Sequence, residues 1–190
     1  VRTLFALSGK KTAFVDKARA EKAALTRAEG KVFNPLTTMF ERHAKAFQEL
    51  GFKVDLSNLK FPKKAVLDTE IIQLIGENNE ELIGIAPFAQ YDSKVYPLDL
   101  MQEVINKLAE NSNYKILLFG GGKKEIELLD SLSNGKKNVV VVAGKIKFQQ
   151  ELQLISNLDI MLSMDSGNAH IAAMLGVKVI TLWGATHPFT

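Results

Sequence analysis

The sequence has no cysteine, so disulfides, thiolate metal centres and cysteine nucleophiles are excluded from the start. It has no apolar run approaching the roughly 20 residues of a membrane-spanning helix. The opening VRTLFALSGKK is too short, and charged too soon, for a secretory leader. No G-x-G-x-x-G opens a strand, which argues against a nicotinamide dehydrogenase. SGKKT at 8–12 imitates the tail of a phosphate-binding P-loop but lacks its leading glycine. Internal repeats and low-complexity segments are also missing. What remains, 190 residues that are 46% hydrophobic and 24% charged, is the composition of a globular chain. That length suits one good-sized domain, or one domain and part of another. Lacking an initiator Met and ending on GATHPFT, it is expected to be a piece of a longer protein, in a reducing cytoplasm.

Net charge is +3, but it is unevenly spread. Residues 1–64 hold 14 Lys/Arg against 6 Asp/Glu, an excess of +8, and residues 65–190 hold 10 against 15, or −5. A basic segment ahead of an acidic one points to an anionic partner, or to a solvated basic face without one. Nucleic acid is not indicated, because no binding motif accompanies the basic residues.

From residue 82 onward, short apolar runs alternate with stretches of helical periodicity. LIGIA, KILLFGGG (ending in glycines), NVVVVAG, DIMLSM and VKVITLWG read as strands. PLDLMQEVINKLAEN, KKEIELLDSLSNG, FQQELQLISNL and NAHIAAMLG read as the helices between them, with Gly135 and Gly176 as stops. Runs apolar on both faces predict a doubly wound parallel α/β sheet with helices on each side. Residues 1–81 lack this alternation. DKARAEKAALTRAEG is helical by propensity, PLTTMFERHAKAFQELGF is amphipathic with Pro35 near its start and Gly51 at its end, and TEIIQLIGENNEE is a further helix.

Parallel α/β sheets bind ligands beyond the carboxyl ends of their strands. Those ends carry APFAQYDSK, GGGKKE, AGKIK, DSGNAH and GATHP. In DSGNAH a strand meets a helix N-terminus, whose unpaired amides and positive dipole end suit a phosphate. Asp165 and Ser166 have a plainer reading as helix N-caps. His170 has one as a core histidine, and Lys94 as a surface lysine. The triple glycine at 120–122 admits a ligand's close approach or simply makes a loop.

Taken together, IGIAPFAQYDSKVYPLDLMQEVINKL, LLFGGGKKEIELL and VVVVAGKIKFQQELQLISNLDIMLSMDSGNAHIAAMLGVKVITLWGATHP resemble glycosyltransferase family 9, the lipopolysaccharide heptosyltransferase family. The specific part is the closing string: strand, D[ST]G-x-x-H, helix, strand, [FW]G-x-T-x-P. The resemblance implies a GT-B architecture of two Rossmann-like domains. Residues 1–81 would be a helical remnant of the acceptor-side domain plus linker, and 82–190 the nucleotide-sugar-binding domain. Lys94 is then similar to the family lysine that stabilises the leaving donor phosphates, and Glu125 to its donor-ribose acid. Gly121, Asp165, Ser166, Gly167 and His170 match donor-binding positions. The residues at 89–92 depart from the family pattern ahead of that lysine.

The resemblance further implies an ADP- or GDP-linked sugar as substrate, no cofactor and no metal. The catalytic base would belong to a stretch absent from this sequence, so the chain alone is expected to be inactive. The acceptor would be an anionic, lipid-linked saccharide met at the inner face of the bacterial cytoplasmic membrane, with Lys17, Arg19, Lys22 and Arg27 as candidate contacts. A nucleotide-sugar epimerase and a noncatalytic nucleotide-binding module remain as alternatives.

Overall fold

The five apolar runs all become strands of one sheet in the computed structural model, which describes residues 5, 8–76 and 80–190. They are β1 (Glu81–Ala86), β2 (Tyr114–Leu118), β3 (Val139–Val141), β4 (Ile160–Met164) and β5 (Lys178–Leu182). Their order across the sheet is β3-β2-β1-β4-β5, and every neighbouring pair is parallel. The chain first steps outward from β1 to β2 and β3, then returns to the other side of β1 for β4 and β5. That reversal opens a crevice at the carboxyl ends of β1 and β4, the place where such sheets bind ligands.

Helices cover both faces because successive strand residues point to opposite sides. One face joins Leu82, Leu117 and Met161 to α3 (Thr69–Ile75), α6 (Phe148–Ile155) and α7 (Gly167–Met174) through Ile71, Leu154 and Ala172. The other joins Ile83, Ile85, Ile116 and Leu118 to α4 (Leu98–Ala109) and α5 (Gly122–Ser133) through Met101, Ile105 and Leu129. Ile85, Ile105, Ile116, Leu118 and Leu129 are fully excluded from solvent. Each such side chain contributes about 1.5–3 kcal/mol relative to an exposed one.

Several elements are shorter than their sequence patterns. β3 stops at Val141 although NVVVVAG suggests a longer run, because the chain turns at Gly144, whose φ is +73°. α6 ends at Ile155 rather than running through Leu158, since Ser156 and Asn157 turn to the chain ahead of α3. The Ser156 hydroxyl accepts from the Ala65 amide at 3.0 Å, and Asn157 Nδ2 donates to the Ala65 carbonyl at 2.8 Å. α5 is stopped by Asn134 in the left-handed region, one residue before Gly135. α3 ends at Ile75, so the expected continuation through 77–79 lies outside the described residues.

The chain divides into two compact units, one spanning Phe61–Thr186 and containing the sheet. The other comprises the residues up to Lys60 together with His187–Thr190. It is built on α1 (Arg19–Thr26) and α2 (Met39–Glu49). α2 begins after Thr38 rather than near Pro35. The Thr38 hydroxyl accepts from the Glu41 amide while Glu41 Oε2 accepts from the Thr38 amide, a reciprocal cap. Buried Arg42 donates from Nη1 to Asp16 Oδ2 at 2.9 Å and from Nε to the Thr37 carbonyl at 2.8 Å. Asp16 also accepts from the Ala18 amide, which fixes the left-handed residue ahead of α1.

Gly84 marks the tightest approach in the sheet. A Cβ there would stand 2.6 Å from Leu158 Cδ1 and 3.0 Å from Met161 Sδ. Gly84→Ala is expected to destabilise the protein by about 1–3 kcal/mol, the usual cost of overpacking a core. Urea unfolding checks it, and an unchanged midpoint would mean that the β1–β4 region repacks freely.

Candidate functional site

The loops beyond β1, β2 and β4, with the start of α6, enclose a cleft of about 260 Å³. Ala86 and Phe88 line it from β1, and Phe119, Gly120, Gly121 and Glu125 from β2 and α5. Ser166, Gly167 and Asn168 line it from the start of α7, and Glu151 from α6. Of the residues singled out by sequence, Gly121, Glu125, Ser166 and Gly167 therefore share one concavity. Lys94, Asp165 and His170 form a separate charged cluster at the next residues along the same sheet edge.

Capping does not explain DSGNAH. Ser166 occupies the N-cap position of α7, yet its side chain makes no cap hydrogen bond. Its Oγ lies 3.1 Å from Ser163 Oγ instead. The first amides of α7 thus receive no side-chain acceptor, and they open where the dipole end is positive. Gly167 and Gly121 have nothing within 4 Å of where a Cβ would stand, and neither has a positive φ. Neither the backbone nor the protein neighbours demand glycine at these two positions. Free space in front of unpaired amides is what an anion needs.

Asp165 turns away from the helix into an ion pair. Its Oδ2 accepts from Lys94 Nζ at 2.7 Å and from Thr186 Oγ1 at 2.8 Å. Burial pushes its carboxyl upward, but the Lys94 and Thr186 hydrogen bonds, with the charges of Lys94 and His170, outweigh that and hold it below the usual range. Lys94 ends a 3₁₀ turn, Asp92–Lys94. That turn is braced from the far end of β5, where the Ala185 amide donates to the Ser93 carbonyl at 3.0 Å. Gly184 is the residue that permits the brace. A Cβ there would collide with the Ser93 carbonyl oxygen and stand 2.9 Å from Lys94 Cα. His170 is exposed rather than in the core, with Nε2 3.9 Å from Asp165 Oδ1.

Glu125 uses Oε2 to accept from the Gly121 amide at 2.8 Å, which pins the glycine loop to α5. Glu151 was not singled out by any sequence pattern. Burial raises its carboxyl above the ordinary value. Thr186 was also missed, although it stands in the WGAT string that carries part of the resemblance. In the other unit, Lys17 and Arg19 are exposed and Lys22 is half-buried, all in or beside α1. Arg27 donates from Nε to the Gly30 carbonyl at 2.6 Å. Among the described residues no group of three or more His, Cys, Asp or Glu is placed to hold a metal, and no helix is long and apolar enough to cross a membrane.

The model of glycosyltransferase family 9 (heptosyltransferase) matches residues 3–190. The chain belongs to that family. Among its relatives, lipooligosaccharide heptosyltransferase 2 of Campylobacter jejuni (serotype O:6, strain 81116) is 26% identical over 142 residues, covering 72% of this chain and 43% of that protein. Lipooligosaccharide heptosyltransferase 2 of Haemophilus influenzae is 32% identical over 123 residues, 60% of this chain and 34% of the relative. This member of family 9 thus spans less than half the length of these relatives. Its fold is shared with the Escherichia coli heptosyltransferase WaaC solved with ADP, at a TM-score of 0.62 and 23% identity. That match covers 82% of this chain and 48% of WaaC. A family 9 glycosyltransferase from Veillonella parvula aligns at a TM-score of 0.64 with 18% identity, over 80% of this chain and 44% of the other.

Because Asp165 is held below its ordinary pKa, the stability that it contributes is present above the unfolded value, about 3.9, and is lost as pH falls through the folded one. Asp165→Asn is therefore expected to cost about 1–2 kcal/mol at pH 7. The gap from wild type should persist to about pH 5 and narrow progressively below about pH 4 as pH falls toward the folded value. Urea unfolding of both proteins at pH 7, 5 and 3.5 measures this, and a gap independent of pH would show that the carboxylate's charge is not what Lys94 holds.

Proposed function

We propose that the Phe61–Thr186 unit is the donor-binding part of a glycosyltransferase that moves a sugar from a nucleotide diphosphate to a lipopolysaccharide-core-type saccharide. The observation that carries this reading is the uncapped N-terminus of α7, facing open space that two glycines leave clear in the same cleft. Family membership supports it, as do relatives named heptosyltransferases.

In this reading the donor's diphosphate lies over the α7 amides, where the helix dipole favours negative charge. An acceptor hydroxyl attacks the anomeric carbon, the bond from that carbon to the phosphate oxygen breaks, and the nucleoside diphosphate leaves with the bonding pair. Negative charge grows on the departing phosphate. The fixed amides of α7 stabilise that charge without having to reorganise. Lys94, paired with Asp165 just ahead of the α7 N-terminus, would add a cation beside the cleft. Glu125, braced against Gly121, presents its second oxygen as an acceptor for ribose hydroxyls. The chemistry needs no resident cofactor.

The acceptor reading places the protein at the cytoplasmic membrane face, with the basic segment turned to an anionic, lipid-linked saccharide. Lys17, Arg19 and Lys22 carry this reading. Arg27 is tied back to Gly30 and is the weakest of the four candidates.

Gly167→Ala separates ligand binding from folding. Beyond its chain neighbours and its own helix backbone, nothing lies within 4 Å of the added methyl, and alanine is favoured over glycine in a helix by about 1 kcal/mol. Melting temperature should hold or rise, while nucleoside-diphosphate affinity measured by calorimetry falls about tenfold or more, as expected if one charge-assisted amide contact is blocked. Equal affinity in both proteins would remove the diphosphate from α7. Incubating the full-length enzyme with a nucleotide sugar and a saccharide acceptor then tells transfer from epimerisation of the donor. For the acceptor, neutralising Lys17, Arg19 and Lys22 is expected to raise its KM at low salt without changing donor affinity. Exposed charges act over about 10 Å at 0.1 M, so the effect should fade as salt rises. An unaltered KM would leave the basic segment as a solvated face.

A further inference from the structure

An aspartate in a turn or beside a helix N-terminus has an ordinary local partner, the amide two residues on. This chain uses it repeatedly. Asp16 accepts from the Ala18 amide at 2.9 Å, Asp55 from the Ser57 amide at 2.8 Å, and Asn111 in the same way from the Asn113 amide at 3.0 Å. At the start of α3, Asp68 accepts from the Ile71 amide at 3.2 Å. Asp165 stands in the same relation to α7, because Gly167, two residues on, opens that helix. It does not make the bond. Both of its hydrogen bonds fall on Oδ2, from Lys94 Nζ and from Thr186 Oγ1. Its Oδ1 has no hydrogen bond among the described residues and lies 3.9 Å from His170 Nε2.

The two donors differ in what they can hold. Lysine carries a point charge on a flexible stem, and its ammonium follows the negative charge around it. A diphosphate over the α7 amides would be such a charge and would draw the lysine away from Asp165. The Thr186 hydroxyl is neutral, sits on a short side chain and is carried by a fixed stretch of backbone. Thr186 follows β5, the neighbour of β4 in the sheet, and the residue before it donates its amide to the Ser93 carbonyl at 3.0 Å. Gly184 leaves room for that contact. Loops from β1, β4 and β5 thus meet at one carboxylate oxygen.

We propose that Thr186 is a positioning residue, which holds the Asp165 carboxylate off the first amides of α7 and so keeps them free for the donor's diphosphate. Without that hydroxyl the carboxylate would be free to turn to the Gly167 amide, its local partner. There it would occupy the place of a phosphate and oppose the ligand with a like charge. The chain's own anion would then compete with the one it has to bind. The inference rests on the donor reading above, since it needs the diphosphate at α7.

Calorimetric titration of the full-length enzyme tests it, with whichever of ADP, GDP, CDP and UDP binds wild type most tightly. Thr186→Val keeps the shape of the side chain and removes the donor, and it is expected to weaken binding about five- to tenfold. Thr186→Ser keeps the hydroxyl and should stay within about twofold of wild type. When Asp165→Ala is the starting protein there is no carboxylate to hold back, so adding Thr186→Val should change affinity by less than about twofold. A threonine that only supported the fold would weaken binding by the same factor with or without Asp165, in step with melting temperature. That result would overturn the proposal. So would equal affinity in wild type and Thr186→Val, or a Thr186→Ser that binds as weakly as Thr186→Val, and in each case the donor reading stands. Absence of wild-type binding to all four nucleotides would sink the donor reading and this inference with it.

Discussion

Burial of the sheet on both faces is the constraint from which the rest follows. Strands such as β1 and β4 have no solvent-facing side on which to carry polar side chains, so polar groups collect where the strands end. At the carboxyl ends the backbone leaves the sheet through Pro87, Gly120 and Asp165, and the helix that follows each loop starts with amides that have no partner of their own. The reversal of strand order beside β1 then concentrates three such loops around one opening. The cleft is a consequence of covering a parallel sheet, and its chemistry depends on which side chains stand at the exits.

Those exits divide the work by charge. The α7 N-terminus is positive through its dipole and lacks a side-chain cap, whereas the nearest acid, Asp165, is occupied by Lys94 and Thr186. Pairing Asp165 in this way removes a negative charge that would otherwise repel a phosphate beside it. The same bond holds the lysine in place. Of the acids lining the cleft, Glu125 has one oxygen taken by the Gly121 amide, and Glu151 stands on α6.

The fold was legible because its signals are local. Alternating apolar runs and helical periodicity each extend over fewer than about 15 residues, and a parallel α/β sheet follows from their alternation. Boundaries were less legible. Ser156 and Asn157 fit a helix by local pattern, and only their bonds to Ala65, some 90 residues away in sequence, end α6 where it ends. The site behaves the same way. DSGNAH could be recognised, but whether Asp165 caps a helix or pairs with a lysine depends on Lys94, 71 positions earlier. Glu151 carried no motif at all, because a glutamate in the first turn of an amphipathic helix looks like any solvated residue until the cleft is seen beside it.

The contact of Gly184 with the Ser93–Lys94 backbone has a consequence for how members of this family can vary and be re-engineered. The loops after β1 and after β5 lie at different positions along the sheet and about 90 residues apart in sequence, yet backbone touches backbone where they meet. They form one rigid part made from two pieces of chain. Exchanging the first loop for that of another enzyme, to import a different donor preference, would leave its lysine resting on a surface shaped for the original turn. The exchangeable unit is the pair, residues 86–97 together with 183–186, and chimaeras that keep it whole should preserve the lysine's position where single-loop grafts lose it.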